Sequence, residues 1–140
     1  VDLAAVMTEV DTRLKTIPAL AVHLGFPGKL ARVPAAVQYP PDRIDFDLTY
    51  GRGTDTMDDL LVVVFVRRGT NRQAIADITP YLAGSGASSI KAKLDMTAAA
   101  PYASCSDLQV QWAELDPTAT LGGNEYLAAL FHSKIIGLGA

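Results

Sequence analysis

RIDFDLTYGRGTDTMDDLLVVVFVRRG (residues 43–69) decides the fold. Its first eight residues alternate, with Ile44, Phe46 and Leu48 on one side and Arg43, Asp45, Asp47 and Thr49 on the other. A strand of that period has one face in the core and one in water. Further on, LLVVVFV (60–66) is apolar on both faces, as a strand covered on both sides must be. The two are predicted to form an antiparallel hairpin whose second strand lies deeper. Between them YGRGTDTMDD (50–59) reads as a flexible, charged loop.

Before this pair, Leu3, Val6, Met7, Val10, Leu14 and Ile17 recur every three or four residues, the stripe of an amphipathic helix. Asp2 is placed to cap it and Pro18 to end it. Glu9, Asp11, Arg13 and Lys15 mark its solvated face. LAVHL (20–24) is a short strand candidate. GFPGKLARVPAAVQYPP (25–41) holds four prolines and two glycines in seventeen residues, which predicts no regular element over 26–41. A connection of that length tends to be a contact loop, here expected at a subunit boundary.

Beyond the central strand, Asn71 can cap a second helix with Ala74, Ile75, Ile78 and Leu82 inward, Pro80 in its last turn and Gly84 closing it. SGASSIKAKLD (85–95) reads as a short third helix. LQVQWAEL (108–115) alternates, Asp116-Pro117 marks a bend or bulge, and Gly122-Gly123-Asn124 turns the chain into EYLAALFHSKIIGL (125–138). The order is helix, three strands, two helices, two strands. It predicts one α+β domain over residues 1–140, with a mostly antiparallel or mixed five-stranded sheet packed against an N-terminal helix and one or two central helices.

Composition narrows the function. Charged residues make up 19% of the 140, below the usual share, which leans toward self-association. The net charge is −3 and no basic cluster exceeds Arg67-Arg68, which argues against gripping nucleic acid. The lone Cys105 excludes an internal disulfide and reads as a small filler residue. The acidic, amphipathic start is not a signal peptide, and the apolar run 60–66 is too short to span a bilayer. The chain therefore reads as cytosolic and soluble, with no membrane partner.

A search for chemistry returns little. Gly51-Arg52-Gly53 and Gly84-Ser85-Gly86 lack the third glycine of a dinucleotide fingerprint. Of Asp42, Asp45, Asp47, Asp55, Asp58 and Asp59, the DTMDD stretch (55–59) offers no glycine-centred cation loop, and Asp45 and Asp47, on the polar strand face beside Arg43, read as ordinary ionised carboxylates. His23 and His132 stand 109 positions apart with only Cys105 to join them, too few for zinc. Trp112 and Phe131 read as core. No catalytic, cofactor-binding or metal-ligating residue is expected.

The whole-length pattern is more specific. VDLAAVMTEVDTRLKTI, VHLGFPGKLARVPAAVQYPPDRIDFDLTYGRGTD, LLVVVFVRR, YLAGSGASSIKAKLD and LGGNEYLAALFHSKIIGLG together resemble the tail terminator proteins of long-tailed phages of actinobacteria. The GFPGKL…P segment, the RIDFD.TYGRG strand and loop (with Asp42 where the pattern has Glu) and the GSGA.S.KA.L helix start carry the likeness. The resemblance implies a non-enzymatic homo-hexameric ring in the virion, made in the host cytoplasm. It would cap the tail tube protein, dock the head connector or stopper protein, and let DNA pass its lumen without specific binding. Its contact residues would be Arg52, Asp55, Asp58 and Asp59 in the 50–59 loop, with Lys29 and Arg32 in the proline-rich segment. Two other readings remain: another neck component, such as a head-completion or stopper protein, and a small α+β enzyme or ligand-binding module using Asp45, Asp47 and the 51–53 loop.

Overall fold

Asp2 opens the first helix by accepting the Ala5 N–H at 3.1 Å, which satisfies one of the donors a helix start leaves free. Helix α1, Leu3–Leu14, buries Val6, Val10 and Leu14. The computed structural model describes residues 2–24, 27–46, 54–69 and 71–138. After α1 come β1 (Ala21–His23), β2 (Ala35–Tyr39), β3 (Arg43–Asp45), β4 (Thr54–Arg67), α2 (Asn71–Leu82), α3 (Ile90–Leu94), β5 (Asp107–Leu121) and β6 (Asn124–Leu138). The strands form one six-stranded sheet in the order β1-β2-β4-β6-β5, with β3 also paired to β4. β1 and β2 are parallel and every other pairing is antiparallel. The fold is α+β, as the sequence predicts, with one strand more than expected.

The extra strand is β2. Ala35, Ala36 and Val37 are fully buried, and Gln38 nearly so. The prolines that argued against structure stand just outside: Pro34 precedes the strand, and Pro40 and Pro41 follow it. AAVQY therefore keeps every N–H it needs for pairing. β2 lies between β1 and β4 inside the sheet, so the reading of residues 26–41 as an unstructured contact loop is wrong for this part. Gln38 reaches the helix layer, donating from Nε2 to the Met7 carbonyl at 2.9 Å.

The hairpin expected around residues 43–66 exists with a different register. β3 pairs with Thr56, Met57 and Asp58 of β4, while the apolar stretch from Leu61 to Phe65 pairs with β2. Thr54 to Asp59, read as loop, is strand. Asp55, Thr56 and Met57 are buried: all three pair with β6, and Thr56 and Met57 with β3 as well. Asp47 and residues 50–53, Arg52 among them, lie outside the described residues. The ladder to β6 shifts register between Met57 and Leu60, and Asp59 there has φ +59°, a left-handed conformation that Asp tolerates better than most residues.

One face of the sheet carries the main core. Leu60, Val62, Val64 and Val66 of β4, with Ala129, Phe131 and Ile135 of β6, meet α1, α2 and α3. Each fully buried Val, Leu or Ile there contributes about 1.5–3 kcal/mol relative to exposure. In α2 the inward residues are Ala74, Ile78 and Tyr81, while Ile75, expected inward, is 58% exposed. Helix α3 is shorter than 85–95 and starts where Ser89 caps it, accepting the Ala92 N–H.

A polar seam ties the 96–106 connection to this layer. Arg13 donates to the carbonyls of Ala100 and Pro101 at 2.8 Å and lies 3.6 Å over the Tyr102 ring. The Tyr102 hydroxyl donates to the Leu94 carbonyl. Glu9 accepts the Ala103 and Ser104 N–H groups and the Ser104 hydroxyl.

Candidate interaction surface

The other sheet face holds a second, smaller core of Ala35, Val37, Val63, Phe65, Tyr126 and Ala128, closed by Leu30 from the β1–β2 connection. Phe65 and Tyr126 meet edge to face at 5.7 Å. The β5–β6 hairpin closes one end. Its turn uses Gly122 (φ +62°) and Gly123 (φ +82°), both glycine conformations. A Cβ on Gly122 would lie 2.6 Å from the Lys29 Cβ, so the tip presses on the Gly28–Lys29 backbone. Toward the other end the layer opens into a groove of about 380 Å3 between Tyr39, Leu61 and Leu130 on its floor and Asp116, Thr118 and Thr120 on its rim.

At the far end of that groove His132 is held from three sides. Its Nδ1 lies 3.0 Å from Asp59 Oδ1 and its Nε2 3.0 Å from Glu114 Oε1. The Trp112 indole stacks on its ring at 3.6 Å with planes 6° apart. Strand geometry makes the cluster: Trp112 pairs directly with His132, Glu114 lies two residues on along the same face, and the Asp59 bulge turns its carboxylate inward. Trp112, read from the sequence as core, is 51% exposed; Phe131 is buried as expected.

β5 is an edge strand, and its protection is uneven. Met96 N–H donates to the Leu108 carbonyl, Asp95 accepts the Val110 N–H at 2.7 Å, and Lys91 donates to the Val110 carbonyl. Beyond Val110, no other element among the described residues covers this edge by hydrogen bonding. Pro117 and the register shift between Asp116 and Ala119 interrupt it instead, a usual way of blunting an edge. Leu115 is 53% exposed there and, with Ile75, Pro117, Leu127 and Arg68, lines an apolar cleft of about 310 Å3.

The six residues proposed as contacts do not form one patch. Asp58 pairs with Arg43 at 3.7 Å, and Asp59 belongs to the His132 cluster. Asp55 is buried within β4, so it is not a surface contact: a paired strand stands where a loop was expected. Lys29 and Arg32 are exposed at the opposite end, near the hairpin tip and Arg67. Arg52 lies outside the described residues. The His132 cluster escaped the sequence reading, although the two-residue spacing of Trp112 and Glu114 places both on one strand face. Among the described residues no three His, Cys, Asp or Glu side chains are grouped to hold a metal ion. Cys105 is buried, and that burial, with Glu9 and Asp107 nearby, pushes its thiol up to about 11. No helix among the described residues is long and apolar enough to cross a membrane. No known protein-family model matches the chain, and no curated protein matches it either.

Proposed function

We propose that the chain is a non-enzymatic subunit of a phage tail, a tail terminator that assembles as a homo-hexameric ring on the tube tip and receives the head connector. The whole-length likeness in sequence pattern motivates the reading. The observation that carries it is the separation of the exposed large apolar side chains: Leu24 follows β1, Phe46 follows β3, Ile75 and Leu115 share a cleft, and Trp112 stacks on His132. Isolated exposed apolar residues are ordinary on a monomer, but several unlike patches suit a subunit that must meet itself, a tube and a connector by different contacts.

The test is electron microscopy of lysates from the encoding phage with this gene deleted. Overlong tails, unjoined to heads, are the expected result. Tails of normal length that fail to join would assign the chain to another neck component. Normal virions would overturn both.

A further inference from the structure

We infer that the two ends of β4 are complementary docking surfaces for successive copies of this chain, with Phe46 of one copy entering the Ile75–Leu115 cleft of the next. Two independent observations point along the same axis. The first is charge. Asp42, Asp45, Asp58 and Asp59 gather near the start of β4, against Arg43 and Lys134. Lys29, Arg32, Arg67 and Arg68 gather near its end and the hairpin tip, and outnumber the acids there: Glu125, which Arg68 holds, Asp77 in a recess beside Arg67, and Asp116 between Leu115 and Pro117. Asp58 and Arg67 are nine residues apart on one strand, about 30 Å at 3.3 Å per residue. Each end would repel its own kind and attract the other.

The second observation is shape and polarity. Phe46 follows β3 at the acidic end and is 72% exposed, far more than an aromatic gains by lying on its own sheet. An apolar recess, the cleft between Ile75, Leu115, Pro117 and Leu127, opens at the basic end with Arg68 on its lip. An aromatic side chain brought there buries ~150–250 Å2, and Asp45, which precedes Phe46, arrives beside Arg68. The contact is heterologous, because the surface that gives differs from the surface that receives. It rests on the proposed ring only for the number of copies at which the series closes.

Variants with an added exposed cysteine test this directly, since the native Cys105 is buried. F46C and I75C are purified separately, confirmed as folded by circular dichroism, and treated with a short bismaleimide alone and mixed. Work at about 1 mM chain populates even a weak specific contact. The mixture is expected to give a crosslinked dimer that neither variant gives alone, and the doubly substituted F46C/I75C chain a ladder. High salt should reduce the yield. Adding R67E to the I75C chain should abolish the mixed product, and adding D58K to its F46C partner should restore it. Equal dimer yields from single and mixed samples, no mixed product, or a double variant that stops at dimers would each overturn the inference. A ladder from a chain whose gene deletion leaves virions normal would sink the tail reading and keep the contact. Overlong tails without the 46–75 crosslink would do the reverse.

Discussion

The imidazole of His132 lies flat against the indole of Trp112, ring centres 3.6 Å apart, while carboxylates grip both of its nitrogens. The carboxylates are not deeply buried: Asp59 and Glu114 keep side-chain exposures of 43% and 51%, against 12% for His132. Water can therefore replace much of what the imidazole gives them. His132→Leu is expected to cost about 1 kcal/mol in urea unfolding, the upper end for solvent-exposed pairs. Trp112 is the only tryptophan, so its emission should also shift to longer wavelength as the stack opens. An unchanged spectrum would mean that the stack does not persist in solution.

Glu9 gives the molecule an acid-sensitive joint. Burial alone would raise its carboxyl, but the Ser104 hydroxyl, the Ala103 and Ser104 N–H groups and Arg13 outweigh that and hold it below its ordinary value. A depressed folded-state value stabilises above the unfolded carboxyl value of ~4.3 and is lost as pH falls through the folded value. Wild type should therefore exceed Glu9→Gln in stability at about pH 7, and the gap should shrink as pH falls below the unfolded value of ~4.3. Thermal melts across that range check the sign. A constant gap at all pH values would remove Glu9 from the seam.

Cys105 is expected to be inert in the folded chain. With its thiol pushed up to about 11 by burial, little thiolate forms at neutral pH. Reaction with a thiol-specific disulfide reagent should be slow until urea unfolds the chain. Cys105→Ser should cost about 1–3 kcal/mol, because the added hydroxyl enters a site only 5% exposed. Rapid native labelling would contradict this placement.

Gly122 and Gly123 separate backbone strain from contact. Both have positive φ, but a Cβ on Gly123 meets open space, whereas one on Gly122 strikes the Gly28 carbonyl and Lys29. Gly123→Ala should cost about 1 kcal/mol, and Gly122→Ala more, since strain and overlap add. Equal losses in urea titrations would show that the hairpin tip does not press on residues 28–29.

Much of the fold was legible because its signals are local. The three-and-four spacing from Leu3 to Leu14 gave α1, and Gly122-Gly123-Asn124 announced the β5–β6 turn. AAVQY was hidden by the prolines that bracket it, since a five-residue strand offers too short a period to outweigh them. Thr54 to Asp58 looked like loop because its polar residues include Asp55 and Thr56, which sheet pairing buries and composition does not reveal. Ile75 and Tyr81 were exchanged because either fits the α2 stripe. The cluster at His132 was out of reach for a different reason. Its members lie 18 and 73 residues apart, and only the sheet register brings them together.

The register shift at Asp58–Asp59 has a consequence for how this chain tolerates changes in length. Along β6 the residues facing the helices are odd-numbered throughout, but on β4 they are odd at Met57 and even from Leu60 to Val66. The two halves of β4 are thus out of phase by one residue, and the extra residue is what lets both point their apolar side chains the same way. Removing it would turn Met57 out of the core while leaving Val62, Val64 and Val66 in place, and a one-residue insertion above it would turn out some of those valines. Sequences of this fold can therefore lengthen or shorten β4 by single residues only if they carry a compensating irregularity. A strand that looks uniform from its apolar run is really two strands of opposite parity spliced at one aspartate.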